Sequence, residues 1–164
     1  IINNNNSYYT MLKFKNYNLC KNQAILSIDD DILPSQELIN NMVKNYQKDK
    51  NNFYGTHSRI CNNKEYRVGE GNIILTNIFF TSKEVIKKTW NNMKKNKNLF
   101  NKVIKQKGNC EDLFFNYEFK KIYNKKPVKV EGYLKNLDDS DGFSTTENNG
   151  HYIIRKNFCN LISK

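Results

Sequence analysis

Long apolar runs are missing from this chain of 164 residues. None approaches the roughly 18 residues that a bilayer-spanning helix needs, which excludes a membrane segment within it. The opening, Ile1-Ile2 followed by Asn3-Asn4-Asn5-Asn6, does not have the pattern of a secretory leader. With no initiator Met before it, that opening predicts the loss of an upstream portion. Cysteine is sparse and scattered, at 20, 61, 110 and 159, so the close pairs that build a thiolate zinc site are absent. A disulfide stays open, because spacing alone cannot assign one. His57 stands alone in a polar segment and reads as a rim residue rather than a ligand. Acid is in deficit, 16 Asp and Glu against 27 Lys and Arg, for a formal net charge of +11. That balance favours polyanionic partners: nucleic acid, an anionic polysaccharide or a nucleotide diphosphate. Yet the lysines are dispersed over presumed helix faces (Lys87, Lys88, Lys94, Lys95, Lys120, Lys121), so solvated surface is their first meaning. A nucleic-acid-binding domain, suggested only by charge, ranks last. No repeat or linker divides the chain, and 38% hydrophobic residues suit one folded domain over 1–164.

What is present is organised around Ala24-Ile25-Leu26-Ser27-Ile28, an apolar stretch that runs directly into Asp29-Asp30-Asp31. It reads as a buried strand of parallel-sheet type with carboxylates at its carboxyl end. Pro34 breaks the extended run and Ser35 caps a helix from Gln36. Open α/β sheets place ligands at such a strand end. Three adjacent acids repel one another, and an all-oxygen cluster suits Mg²⁺ or Mn²⁺. The plainer alternative is a solvated acidic turn that starts the helix.

The remaining chain reads as alternating strands and helices. Ser7 to Leu19 is a short aromatic and basic helix under the first strand, and Gln36 to Lys48 is a helix with Leu38, Met42 and Tyr46 at core spacing. Phe53-Tyr54-Gly55 begins a second strand, His57 to Tyr66 forms a hairpin or rim loop, and Asn72 to Phe80 makes another central strand. Thr81 or Ser82 caps the next helix, which carries Val85, Ile86, Trp90 and Met93 on one face. Asn109-Cys110-Glu111-Asp112 is a second acidic site and opens a helix bearing Leu113, Phe114 and Phe119. Acids there have an ordinary role as capping and dipole residues, which stands beside any chemical one. Pro127 to Val130 is a short strand, a polar loop covers 136–150, and Tyr152 to Ile162 is a closing helix.

From Ala24 to about Ile162 these segments resemble the exostosin-like glycosyltransferases, glycosyltransferase family 64. Four motifs in order carry the resemblance. Asp29-Asp30-Asp31 looks like the metal-binding DXD element; Asn72 to Lys83 resembles the family's apolar strand, paired phenylalanines and Ser-Lys helix start. Asn109-Cys110-Glu111-Asp112 with Phe115-Asn116-Tyr117 is close to its Asn-Cys-Asp-Asp and following Asn-Phe. Arg155 to Cys159 resembles its C-terminal segment.

The resemblance implies an α/β fold of GT-A type, a Rossmann-like mixed sheet flanked by helices, here N-terminally incomplete. It implies a retaining transfer of a sugar, an N-acetylhexosamine or hexuronic acid, from a UDP-sugar to an oligosaccharide or polysaccharide acceptor. Asp31 would bind Mn²⁺ or Mg²⁺. Asp29 and Asp30 would contact the donor ribose or the metal's water shell; Thr76, Asn77, Arg155 and Lys156 would complete the donor site. Asp112, with Glu111, would act beside the anomeric carbon and the acceptor. Cys110 and Cys159 would form the family's disulfide, leaving Cys20 and Cys61 unpaired and implying the secretory-pathway lumen. Two positions depart from the family pattern: Glu111 replaces an Asp, and Lys156 stands where the family has an Arg, with Arg155 beside it to substitute. The alternative function is a non-catalytic sugar-nucleotide or carbohydrate-binding remnant of the same fold.

Overall fold

The computed structural model describes residues 8–137 and 149–163. The polar loop expected over 136–150 lies outside them except at its two ends. Between Tyr9 and Leu19, two 3₁₀ turns flank the single α-turn α1 (Leu12–Lys15), which buries Phe14. Then β1 (Ala24–Ile28) passes through the acidic turn into β2 (Ile32–Pro34), and α2 (Gln36–Lys48) starts where the Ser35 hydroxyl accepts from Leu38 N. Four short strands follow, β3 (Phe53–Gly55), β4 (Ser58–Cys61), β5 (Tyr66–Val68) and β6 (Ile73–Ile74), before β7 (Ile78–Ser82). Ser82 caps α3 (Lys83–Lys95) by accepting from Val85 N, and Asn96 caps α4 (Lys97–Lys105) in the same way through Leu99 N. The chain closes with α5 (Glu111–Tyr123), β8 (Val128–Lys129), β9 (Leu134–Asn136) and α6 (Asn149–Ile162).

The main sheet has the order β1-β7-β3-β8; β7 is antiparallel to both neighbours and β8 is parallel to β3. Smaller sheets pair β2 with β9 and order β5-β4-β6. Side chains alternate across the main sheet, and each face meets helices. On one face Tyr54, Ile78 and Phe80 pack against Leu38, Met42 and Tyr46 of α2. On the other, Phe53 and Phe79 meet Phe115 of α5 and Phe14 of α1. There the Phe14 and Phe115 rings stack at 4.4 Å and Phe53 lies 5.1 Å from both Phe79 and Phe115. Helices α3 and α5 are joined by fully buried Glu118, whose two oxygens accept from Asn92 and Asn96 at 2.8 and 2.9 Å. A buried carboxylate is tolerated only when satisfied in this way.

Two expectations are corrected here. The first strand is not of the parallel, fully buried type: β1 runs antiparallel to β7 and, among the described residues, lies at the sheet edge. Only Ile25 in it is buried, and Ile28 is exposed. The stretch Asn72 to Phe80 is not one strand but two in different sheets. Asn77 breaks it by turning its side chain back to accept from Ile78 N at 3.0 Å, while Leu75 N donates to His57 O at 2.9 Å. Helix α4 had no counterpart among the expected elements.

Candidate active site

The break between β6 and β7 is what builds the site, because it leaves Thr76 and Asn77 in a turn beside the start of α5. Asn116, buried in the second turn of α5, fixes that approach. Its side chain accepts from Ile74 N at 3.0 Å and donates to Ile74 O at 2.8 Å, as a strand neighbour would. The turn before α5 is tight: Lys107, Gly108 and Cys110 all have positive φ. At Gly108 (φ +85°) a Cβ would sit 2.4 Å from Thr10 Oγ1, so only glycine fits against the N-terminal segment. Cys110 holds its left-handed conformation with an ordinary side chain, a cost of order 1 kcal/mol or more that aims the first turn of α5.

A cleft of about 180 Å³ opens at this junction, lined among others by Asp29, Thr76, Asn77, Glu111, Asp112 and Arg155. Thr76 Oγ1 donates to Glu111 Oε1 at 3.0 Å. Lys13 Nζ, from α1, donates to Asp29 Oδ1 at 2.7 Å and to Thr76 O at 3.0 Å. Asp29 N donates to Asn77 O at 2.8 Å, which joins the end of β1 to the same turn. On the far wall Arg155, 5% exposed, pairs with Asp112, itself 3% exposed. Arg155 Nε also donates to Tyr66 Oη at 2.8 Å, and Nη1 to Asn109 Oδ1 at 3.4 Å.

Electrostatics separates the two adjacent acids. Asp112 has its charge matched by the Arg155 guanidinium. Glu111 is pushed up to about 7, first by burial of its carboxyl group and then by Asp112, against the opposing pull of Lys13, Arg155 and the Thr76 hydroxyl. Burial also raises Asp29, outweighing the Lys13 ammonium. His57 and His151 are both lowered by burial and next by neighbouring arginines, which favours neutral imidazoles at neutral pH.

Most of the expected site residues converge. Asp29, Thr76, Asn77, Glu111, Asp112 and Arg155 share one cleft. Asp30 and Asp31 are exposed on the turn beside it, and Asp31 O accepts from Leu137 N at 2.7 Å. Lys156 is exposed on the outer side of α6, so of the two adjacent cations only Arg155 reaches the cleft. The first turn of α5 therefore combines both readings of its acids, as helix-start residues and as cleft walls. Lys13, Arg59, Tyr66 and His151 join the site without any signal in the sequence. Nothing in their spacing marks them, because α1, the β4–β5 hairpin and α6 bring them in from distant parts of the chain.

The cysteine pairing is corrected as well. The bond joins Cys61 to Cys159, with Cα atoms 5.4 Å apart, while Cys110 and Cys20 are free. Helix α6 packs along β5, and Cys61 is the ladder partner of Tyr66 on that strand, so β4 offers the thiol that Cys159 meets. Cys110 instead caps α5 from within the apolar interior, where burial raises its thiol and makes it unreactive. The bond lies one helical turn from Arg155, so it clamps α6 to the hairpin that supplies Tyr66.

A family model for the glycosyl transferase family 64 domain matches residues 1–164. The chain belongs to that family. No curated protein matches it. The cleft is thus the candidate active site of a glycosyltransferase domain with sugar-donor and glycan-acceptor substrates as its class. No helix among the described residues is long and apolar enough to cross a membrane.

A divalent ion fits the acidic turn in one way only. Among the described residues no three His, Cys, Asp or Glu side chains converge into a protein cage, and Asp29 already accepts from Lys13. Mg²⁺-type sites, however, take one or two carboxylates and fill the rest with water and substrate phosphate oxygens. Asp31, exposed and hard in its oxygen chemistry, suits that arrangement.

Proposed function

We propose that this domain is a metal-dependent retaining glycosyltransferase of GT-A type. It moves a sugar, an N-acetylhexosamine or hexuronic acid, from a UDP-sugar to an oligosaccharide or polysaccharide acceptor. The observation that carries the reading is the meeting of Thr76, Asn77, Glu111, Asp112 and Arg155 with the end of the acidic strand in one cleft. Asp31 would hold Mn²⁺ or Mg²⁺, which when bound neutralises the charge developing on the leaving diphosphate. Asp29 and Asp30 would contact the donor ribose or the metal's water shell, and Thr76 and Asn77 would complete the donor site. In the transfer, the bond from the anomeric carbon to the diphosphate breaks with its electron pair going to the diphosphate. The acceptor hydroxyl oxygen bonds that carbon as its proton passes to the departing diphosphate oxygen. The transition state has oxocarbenium character, and Asp112, held in one orientation by Arg155, offers it a fixed negative charge. Glu111, titrating near neutrality, orients the acceptor hydroxyl as a carboxylate. The disulfide agrees with folding in an oxidising lumen.

The test is incubation with a panel of UDP-sugars, Mn²⁺ and glycan acceptors, following UDP release and the anomeric configuration of the product. Transfer with retention, lost in Asp112→Asn, supports the reading. Hydrolysis or transfer with inversion refutes the retaining assignment. One observation favours the binding-only alternative: Lys13 already neutralises Asp29 within the cleft. That alternative predicts UDP binding with no turnover on any donor.

A further inference from the structure

We propose that Lys13 is a positioning residue for transfer: its ammonium group ties the acidic turn to the Thr76 turn and holds Glu111 in its working charge state. The inference rests on the transferase reading of the cleft but is tested without it. Lys13 belongs to α1, outside all the motifs above, yet it reaches across to two other elements. Its Nζ touches Asp29 Oδ1 at 2.7 Å and Thr76 O at 3.0 Å, with the side chain only 17% exposed. Thr76 then passes the contact on, donating from Oγ1 to Glu111 Oε1 at 3.0 Å. A continuous path of charge and hydrogen bonds therefore runs Asp29, Lys13, Thr76, Glu111. Removing any other surface lysine would leave this path intact.

The charges that face Glu111 are few, and their balance decides what Lys13 does. Asp112, next to Glu111 in the first turn of α5, repels a second negative charge; Arg155 from α6 and Lys13 from α1 favour it, and burial opposes it most strongly. Asp29, Arg59, Tyr66 and His151 complete the cleft walls around the group. Arg155 is already committed to Asp112, so Lys13 is the cation left to support the Glu111 carboxylate. Lys13 heads the charges that lower Glu111, and a nearby opposite charge lowers a carboxyl group by roughly one unit or more. With Glu111 at about 7, about half of the molecules hold the carboxylate at neutral pH. Without Lys13 that fraction falls to roughly a tenth, a fivefold loss.

The experiment titrates the Glu111 carboxyl carbon by NMR in the unliganded protein, with neither donor nor metal, for native chain, Lys13→Met, Lys13→Gln and Lys13→Arg. The midpoint is expected to rise by about one pH unit in both neutral variants and to return in Lys13→Arg. An unchanged midpoint in a folded Lys13→Met or Lys13→Gln overturns the proposal. Lys13→Gln keeps a neutral hydrogen-bond donor on a side chain one atom shorter, so it carries the test if the methionine variant does not fold. In transfer assays, the acid limb of the pH–rate profile is expected to move to higher pH in Lys13→Gln and back in Lys13→Arg. A uniform loss of rate at every pH, with no displaced limb, also overturns it. An inactive native protein with a shifted Glu111 midpoint refutes the transferase reading while leaving the electrostatic role of Lys13 standing.

Discussion

Removing the Cys61–Cys159 bond is the sharpest perturbation this fold offers. The two cysteines are 98 residues apart, so the bond closes most of the chain into one loop. In the chain-entropy picture a loop of that length is worth about 4.7 kcal/mol, through the freedom it denies the unfolded state. That is a large part of the roughly 5–15 kcal/mol that stabilises a whole domain. For a domain of this size each kcal/mol moves Tm by about 2–4 °C, so Cys61→Ala and Cys159→Ala should each lower it by roughly 10–20 °C. The double variant should be no worse than either single one, since both remove the same bond. Peptide mapping of the unreduced protein should find the 61–159 link, and unfolding without reductant should expose two thiols, Cys20 and Cys110. A 110–159 link refutes the reasoning, and so does a Cys61→Ala protein that melts within a few degrees of the native one. The loss should also reach the cleft, because Arg155 sits one helical turn before Cys159 on the clamped face of α6.

Three further outcomes are expected. In isothermal titration with UDP present, Mn²⁺ should bind Asp31→Asn at least about tenfold more weakly than the native protein, because a hard cation needs the anionic oxygen; equal affinity removes Asp31 from the metal site. Glu111 is about 7 in the fold against an ordinary 4.5, so the native state keeps a proton that the unfolded chain loses, and stability falls as pH rises through that interval. Glu111→Gln, measured by urea unfolding at pH 8, should therefore be more stable than the native protein by roughly 2–3 kcal/mol. Arg155→Met strands the buried Asp112 charge and should cost about 3–5 kcal/mol, whereas exposed Lys156→Met should stay within about 0.5 kcal/mol.

Local signals carried the helices well. Ser35 and Ser82 cap the helices where hydroxyl spacing put them, and Leu38, Met42 and Tyr46 face the core as their periodicity demanded. Strand context was harder to read. An apolar run such as Ala24 to Ile28 does not reveal whether its neighbour runs parallel or antiparallel, because that depends on β7, some fifty residues away. The stretch Asn72 to Phe80 looked continuous because apolar residues lie on both sides of Thr76-Asn77. What breaks it is the Asn77 side chain bonding to Ile78 N, an interaction that outcompetes the ladder locally.

The choice between Arg155 and Lys156 could have been made from helical phase alone. Phe158 and Cys159 are apolar and share a face with the residue three or four positions earlier, which is Arg155. Lys156 lies about 100° away around the helix and must point outward. A buried cation on such a stripe needs a buried anion, and the fold supplies Asp112. The same logic fails for the cysteines. Cys159 lies on the inward stripe, but three other thiols compete for it, and the winner depends on where a hairpin of four- and three-residue strands crosses α6. It fails again for Lys13, whose reach to Asp29 spans 16 positions and whose reach to Thr76 spans 63. Motif spacing finds the acids because a strand end and a helix start must carry them. The cations that set the charge of those acids come from whichever elements the core packs alongside, and only the packed fold identifies them.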